Sequence, residues 1–529
     1  MSARAWTLIL LLLLATRLPA IAEPPGNDQS LYTYRGERLL AGTTPYLDAW
    51  DQKPPGIAVV YAALLLAVPP PMVPAVGDIV GAGLTAWLLF VIGRRRFTAQ
   101  TGYIAAAAFL LLGHPAMARV SGAYVRGQCE VFIGLAVAAM IAGLAARDHR
   151  RATYIAAGLW LGVAFWLKYN ALAYALPAAV AMYAWSDRPS LRTVLRDGLL
   201  TAASLFVVVA LGVGYFAATG GLDALWRATI DYNLQYSGET YRGLRGLLYP
   251  LEMPVLHAYV DFLWFLGGLG LIACLPRWRD GSVQVLVAWL VAAVVSIAVN
   301  GARDLPQYFV QAAPALALAA AAGLAALAAR PRVVQIAVGV VIAVGLWRVG
   351  ADEQPRLGGL RQMTANVSFD LAYLTGRIDR PAFLARFKGE QKYDASEMDA
   401  IARYISDSTR PQDPVLVFGF APGIYVSSAR VSPTRFFWSR PVVIEFAAGA
   451  PGYGSAGLLH DLQVNPPAVV VLQKRDWALS ATTAGGADAS GEPNSFDFFM
   501  NHAGLRAWLD AGYVPDRDTP VFAVWRRRS

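Results

Sequence analysis

Long apolar runs recur through the first two thirds of the chain and stop near residue 350. They lie at 5–22, 74–93, 98–113, 128–146, 152–167, 171–186, 197–218, 258–275, 281–299, 306–329 and 333–350. Each approaches the roughly 20 apolar residues that carry a helix across a bilayer. Eleven such runs predict a polytopic α-helical membrane domain over 1–350, although several are short enough for one to be lost or split. Segment 56–68 (GIAVVYAALLLAV) breaks the series. It has 13 residues and ends at Pro69-Pro70-Pro71, a length that suits an interfacial helix better than a span.

Past residue 350 the pattern changes. Residues 397–410 (EMDAIARYISDSTR) have helical spacing and end before Pro411. Short β-rich runs follow at 415–418, 468–472 and 521–525, with a helical stretch near 455–463 between the first two. That alternation predicts a small α/β domain over 351–529. It has neither G-x-G-x-x-G nor a Walker loop, so no nucleotide is expected there. Residues 478–494, rich in Ala, Gly, Ser and Thr, read as a flexible loop.

Composition agrees: 56% of residues are apolar and 15% charged, against roughly 45–50% and about 25% in soluble domains. The net charge of +9 would suit nucleic acid if the Arg residues formed a patch. They fall instead in short turns between apolar runs, with no nucleic-acid-binding motif beside them, so no nucleic-acid partner is expected. With the N-terminus inside and 56–68 lying flat, the inside loops hold 14 Lys or Arg in 31 residues and the outside loops 10 in 113. Making 56–68 a true span would put Arg94, Arg95 and Arg96 outside, against the positive-inside rule. An odd number of spans places 351–529 outside, on the periplasmic face of the inner membrane if the cell is Gram-negative. Arg4, the first apolar run and Ala20-Ile21-Ala22 also fit a cleavable signal peptide. Cys129 and Cys274 both lie in apolar runs, so no disulfide framework is expected.

Candidate chemistry gathers at the outside ends of the runs. The first outside loop, 23–73, carries Asp28, Asp48 and Asp51 with Arg35, Arg38 and Lys53 among many aromatics. Loops held at a membrane surface commonly carry function, and a merely solvated loop would have similar acids. Glu130 starts an apolar run and Lys168 ends another. Ionisable groups at helix mouths face a cavity or pair with each other, and a lysine can also snorkel. Arg303 and Tyr308 mark another outside helix end. The planar fork of Arg303 suits phosphate, and a structural pair with Asp304 or Asp261 is the alternative. His114, His149, His257, His460 and His502 form no ligand motif, so no cofactor is expected, though carboxylates alone could hold Mg²⁺ or Mn²⁺.

In this order the motifs resemble the GT-C-type membrane glycosyltransferases, and most nearly glycosyltransferase family 39, with the protein mannosyltransferases and the aminoarabinose transferase of lipid A. The resemblance rests on Asp28 soon after the first run, Pro45-Tyr46, Lys53-Pro54-Pro55 and the 56–68 segment. It continues through Arg94-Arg95-Arg96, Glu130, the Gly158, Gly162 and Lys168 helix, and Gln307-Tyr308-Phe309 with Pro314. Two positions depart from the family: Gln29 stands where a second acid is frequent, and Gln307 where His is usual. The resemblance implies an enzyme that takes a sugar from a polyprenyl phosphate. Asp28 would be the base, Lys53 would hold the donor phosphate with Lys168 and Arg303, and Glu130 would be a further catalytic acid residue. Asp51, Tyr46 and Tyr308 would line the substrate. A lipid, glycan or protein hydroxyl would accept the sugar, with inversion and with membrane lipids around the fold. A transporter or flippase of lipid-linked glycans is the rival class, but no internal repeat supports it. An inactive scaffold of the same fold is a third reading.

Overall fold

The computed structural model describes residues 3–118, 125–146, 150–186, 190–238, 244–300, 305–351, 359–388, 393–476 and 493–528. All eleven apolar runs are helical. Five stretches are long and apolar enough to cross a membrane: Arg4–Ala22, Pro70–Arg96, Leu191–Ala218, Gly281–Val299 and Pro306–Ala328. Leu248–Val260 and Phe262–Arg277 make a sixth only as a pair bent by 114°. Helices such as Ala99–Leu112, Cys129–Leu144 and Arg151–Leu167 are apolar but shorter. Among the described residues, then, five helices meet that length and hydropathy, or six if the bent pair is one span, against the eleven spans expected from the sequence.

Small residues let these helices pack backbone to backbone, where lipid supplies no hydrophobic drive and close contact must hold the bundle. A Cβ on Gly323 would stand 2.2 Å from Gly270 Cα, which joins helices Ala313–Ala328 and Phe262–Cys274. A Cβ on Gly158 would stand 2.1 Å from the Thr201 carbonyl oxygen, which joins Arg151–Leu167 to Leu191–Ala218.

Segment 23–73 is not simply a solvated loop. Asn27–Leu40 is a helix of 14 residues, and its Asn27, Gln29, Ser30, Thr33 and Arg35 are buried. The helix is sandwiched. On one side the Gly36 backbone meets helix Gly56–Leu65, where a Cβ would lie 2.9 Å from Ala62 N. On the other side lies the C-terminal part of the chain. The Tyr34 ring stacks on Phe437 at 4.5 Å, and its hydroxyl accepts the Ser432 N–H at 3.0 Å. Trp50, fully buried, accepts from Trp438 Nε1 at 3.0 Å. Segment 56–68 contains the short helix Gly56–Leu65, which lies on the chain at Trp166 and Leu167.

The C-terminal sheet has β1 (Val415–Phe418), β2 (Val469–Gln473), β3 (Tyr513–Asp518) and β4 (Phe522–Arg527), in the order β1-β2-β4-β3. β1 and β2 are parallel; the other two pairings are antiparallel. β1, β2 and β4 fall on the three β-rich runs. β3 was not foreseen. It reads YVPDRD, is mostly exposed, and breaks register at Pro515–Arg517. Proline and charge are the usual guards of an edge strand, and they erase the alternation that marks a strand in sequence.

A second tie joins the two parts of the chain. Glu23 pairs with Arg126, and helix Leu360–Leu374 brings Asp370 against them. Burial, partly offset by Arg126, pushes the Glu23 carboxyl well above the usual range. Asp370 is raised for the same first reason.

Candidate active site

Helix Asn27–Leu40 starts at Gly26 and carries Asp28 in its first turn. Asp28 Oδ1 accepts from Lys53 Nζ at 3.1 Å, and Oδ2 accepts from Gln128 Nε2 at 3.2 Å. Lys53 Nζ also stands 4.9 Å from the centre of the Tyr32 ring. The Tyr32 hydroxyl donates to Gln128 Oε1 at 2.8 Å. Burial alone would lower the Lys53 pKa, but the charges of Asp28 and then Asp51 outweigh it and hold the ammonium above its ordinary range. Burial and then Asp28 raise Tyr32 well above the ordinary phenol, so it stays a donor.

Lys53 is propped from behind. Tyr46 is fully buried, and its hydroxyl donates to the Lys53 carbonyl at 2.8 Å. Its backbone takes the left-handed φ of 70°, a conformation that costs a non-glycine residue about 1–3 kcal/mol and persists where the surroundings enforce it. Here Arg35 lies 5.2 Å from its ring centre and Phe216 5.6 Å.

The second half of the site lies where two apolar helices end. Glu130, in the first turn of Cys129–Leu144, pairs with Lys168, the residue that follows Arg151–Leu167. Lys168 Nζ stands 4.4 Å from the centre of the Tyr308 ring. Segment 126–130 connects the halves. Gln29 Nε2 donates to the Arg126 carbonyl at 2.8 Å, and the Tyr61 hydroxyl donates to the Gly127 carbonyl at 2.9 Å. Gly127 has φ +62°, and a Cβ there would stand 2.8 Å from the Tyr61 hydroxyl. Only glycine fits that turn without strain. A single residue, Cys129, thus separates the amide that touches Asp28 from the carboxylate that holds Lys168.

The structure brings Asp28 together with Lys53, and Glu130 with Lys168 and Tyr308. Asp51 and Tyr46, expected to line the substrate, are both buried, and Asp51 Oδ2 accepts from Arg35 at 2.6 Å. Asp48 takes both Arg38 donors, at 2.6 and 3.0 Å. Asp261 caps helix Phe262–Cys274, its Oδ1 accepting from the Leu263 and Trp264 amides. Arg303 itself lies outside the described residues. The Asp28 side chain keeps 24% of its surface open, against 1% for Asp51 and 1% for Glu130. Tyr32 and Gln128 were missed in the sequence, because neither titrates near neutrality nor belongs to a motif. Among the described residues no group of three His, Cys, Asp or Glu is placed to hold a metal.

Residues 54–215 match the family described as dolichyl-phosphate-mannose-protein mannosyltransferase. No curated protein matches the chain. Among solved structures, ArnT from Cupriavidus metallidurans bound to undecaprenyl phosphate aligns with 99% of this chain and 98% of its own, at 15% identity and a TM-score of 0.59. The same protein in its apo state aligns over the same shares, at 14% identity and a TM-score of 0.60. From end to end, then, the chain has the fold of ArnT, and over residues 54–215 it matches the model of the dolichyl-phosphate-mannose-protein mannosyltransferase family.

Proposed function

We propose that the protein is a glycosyltransferase that moves a sugar from a polyprenyl-phosphate carrier to an acceptor hydroxyl, with inversion, on the periplasmic face of the inner membrane. The observation that carries this reading is the partly open Asp28 carboxylate held by Lys53. ArnT has been seen with undecaprenyl phosphate, and the matching family is described by a dolichyl-phosphate sugar, which supports a donor of that class.

The chemistry needs a base for the acceptor and cations for the leaving group. The acceptor oxygen attacks the anomeric carbon from the face opposite the phosphate. The bond from that carbon to the phosphate oxygen breaks, its electron pair stays on the phosphate, and the hydroxyl proton passes to Asp28. The phosphate gains a negative charge as it leaves, so preplaced cations stabilise the transition state more than the ground state. Lys53 and Lys168 are the described candidates for that role, and Arg303 is the third expected from sequence. A phosphate that draws Lys53 away releases Asp28 Oδ1 for the acceptor. Glu130 holds Lys168 in place until the phosphate arrives.

The test uses purified full-length protein and synthetic undecaprenyl phosphates bearing mannose, glucose, arabinose or aminoarabinose, with release of undecaprenyl phosphate as the readout. Asp28→Asn keeps the shape and removes the basic oxygen, so turnover should fall by about 10²–10⁴-fold. Lys53→Ala should weaken use of the donor. Turnover of a nucleotide sugar with no activity on any lipid donor would refute the reading. Normal turnover in Asp28→Asn would move the base to another acid.

A further inference from the structure

We propose that Gln128, oriented by Tyr32, is the positioning residue that fixes the Asp28 carboxylate when Lys53 leaves it for the donor phosphate. The proposal rests on the glycosyltransferase reading above.

Three observations lead there. First, the two Asp28 oxygens have different partners. Oδ1 takes the ammonium of Lys53, and Oδ2 takes the Gln128 amide. An ammonium on a flexible stem is the partner a phosphate can attract, whereas a neutral amide is not. Second, the amide is itself set. Tyr32 donates its hydroxyl to Gln128 Oε1, which leaves the Nε2 hydrogens facing Asp28. Third, Gln128 occupies the N-cap of helix Cys129–Leu144 with extended backbone, yet its side chain makes no cap hydrogen bond. A cap position favours Asn, Asp, Ser or Thr, whose short side chains reach the helix amides. This longer side chain turns outward to Asp28. The backbone beneath it is anchored by Gln29 on the Arg126 carbonyl and by Tyr61 on the Gly127 carbonyl.

Without Gln128, a carboxylate that has lost Lys53 is free to rotate about its side-chain bonds at the moment it must accept a proton. Misplacing a reacting group by about 1 Å can cost about 10²-fold in rate. Gln128→Met, similar in length but without the amide, should therefore lower kcat by about 10- to 100-fold. The donor KM, and binding of undecaprenyl phosphate alone, should stay near wild type. Tyr32→Phe should lower kcat in the same direction but less.

The decisive readout is coupling, which a merely structural role would not move. In a Gln128→Met background Tyr32→Phe should have no further effect, and in an Asp28→Asn background Gln128→Met should have none. Wild-type kcat in folded Gln128→Met, or multiplicative losses in either double variant, would overturn the positioning role. If Gln128→Met fails to fold, Gln128→Glu supplies the test. It keeps the length but sets a second carboxylate against Oδ2, so kcat should fall at least as far while undecaprenyl phosphate still binds; unchanged kcat would overturn the role. Normal turnover in Asp28→Asn instead overturns the base assignment, so the two failures are distinguishable.

Discussion

Removing Lys168 alone should harm the protein more than removing Lys168 and Glu130 together. The Glu130 side chain is 1% exposed, in the first turn of an apolar helix, and Lys168 is its partner. Lys168→Met leaves that carboxylate without its counter-charge, and breaking a buried pair from one side costs about 3–5 kcal/mol. Glu130→Gln should cost less, about 1–3 kcal/mol, because the freed ammonium still has the Tyr308 ring at 4.4 Å. A double variant with Lys168→Met and Glu130→Met should lie within about 1 kcal/mol of wild type, since an apolar replacement of both partners is often neutral. Function should not follow stability. If Lys168 takes the donor phosphate, both variants lacking it lose affinity for undecaprenyl phosphate, however stable they are. The assay is thermal unfolding in one detergent at one scan rate, paired with undecaprenyl phosphate binding. Additive losses of stability would refute the buried pair. Wild-type lipid-phosphate binding by the double variant would refute the phosphate role.

Further outcomes can be checked separately. Glu37 is raised from 4.5 to about 7 by burial, so its contribution to stability is present below about pH 4.5 and lost as pH rises through 7. Glu37→Gln should therefore change the melting temperature little at pH 5 and raise it at pH 8, by the equivalent of at most about 3 kcal/mol; an equal shift at both pH values counts against the burial. Gly323→Leu should separate two helices that touch at Gly270 and lower the melting temperature sharply, whereas Gly339→Leu, with nothing within 4 Å, should be tolerated; equal effects would mean that the close packing is not real. Gly127→Ala should cost stability through its positive φ and lower kcat by displacing Gln128. For topology, Asn465→Cys places a thiol on an exposed residue while both native cysteines are buried. It should react with an impermeant maleimide in intact spheroplasts, and labelling only after lysis would invert the orientation.

What could be read from the sequence follows from what each pattern measures. A run of apolar residues reports surroundings that are apolar all round, so the eleven helical segments were visible. So were β1, β2 and β4, whose runs are mostly buried inside the C-terminal sheet. The pairing of Glu130 with Lys168 was one of the alternatives the sequence left open, because a charge at the mouth of an apolar helix either faces a cavity or finds a partner nearby. Whether a helix crosses the bilayer is a different property. Cys129–Leu144 has 16 residues and Arg151–Leu167 has 17, short of the usual span.

The central piece of the site was hidden for a physical reason. Helix Asn27–Leu40 has no apolar stripe, since nine of its fourteen residues are buried and most of those are polar. Its burial comes from two partners distant in sequence, the Gly56–Leu65 helix below and the Phe437 region above. Buried polar groups must be hydrogen-bonded, so each contact of this helix falls on a specific atom: Gln29 on the Arg126 carbonyl, Tyr32 on Gln128, Arg35 on Asp51. Such contacts leave no periodic trace, because they depend on which side chain reaches which atom. The same specificity gives the helix its use. A greasy helix can slide or rotate on its neighbours at little cost, whereas one tied by paired polar atoms holds its first turn, and with it Asp28, in one place. In this protein the stretch least legible as structure is the one whose rigidity the proposed chemistry needs.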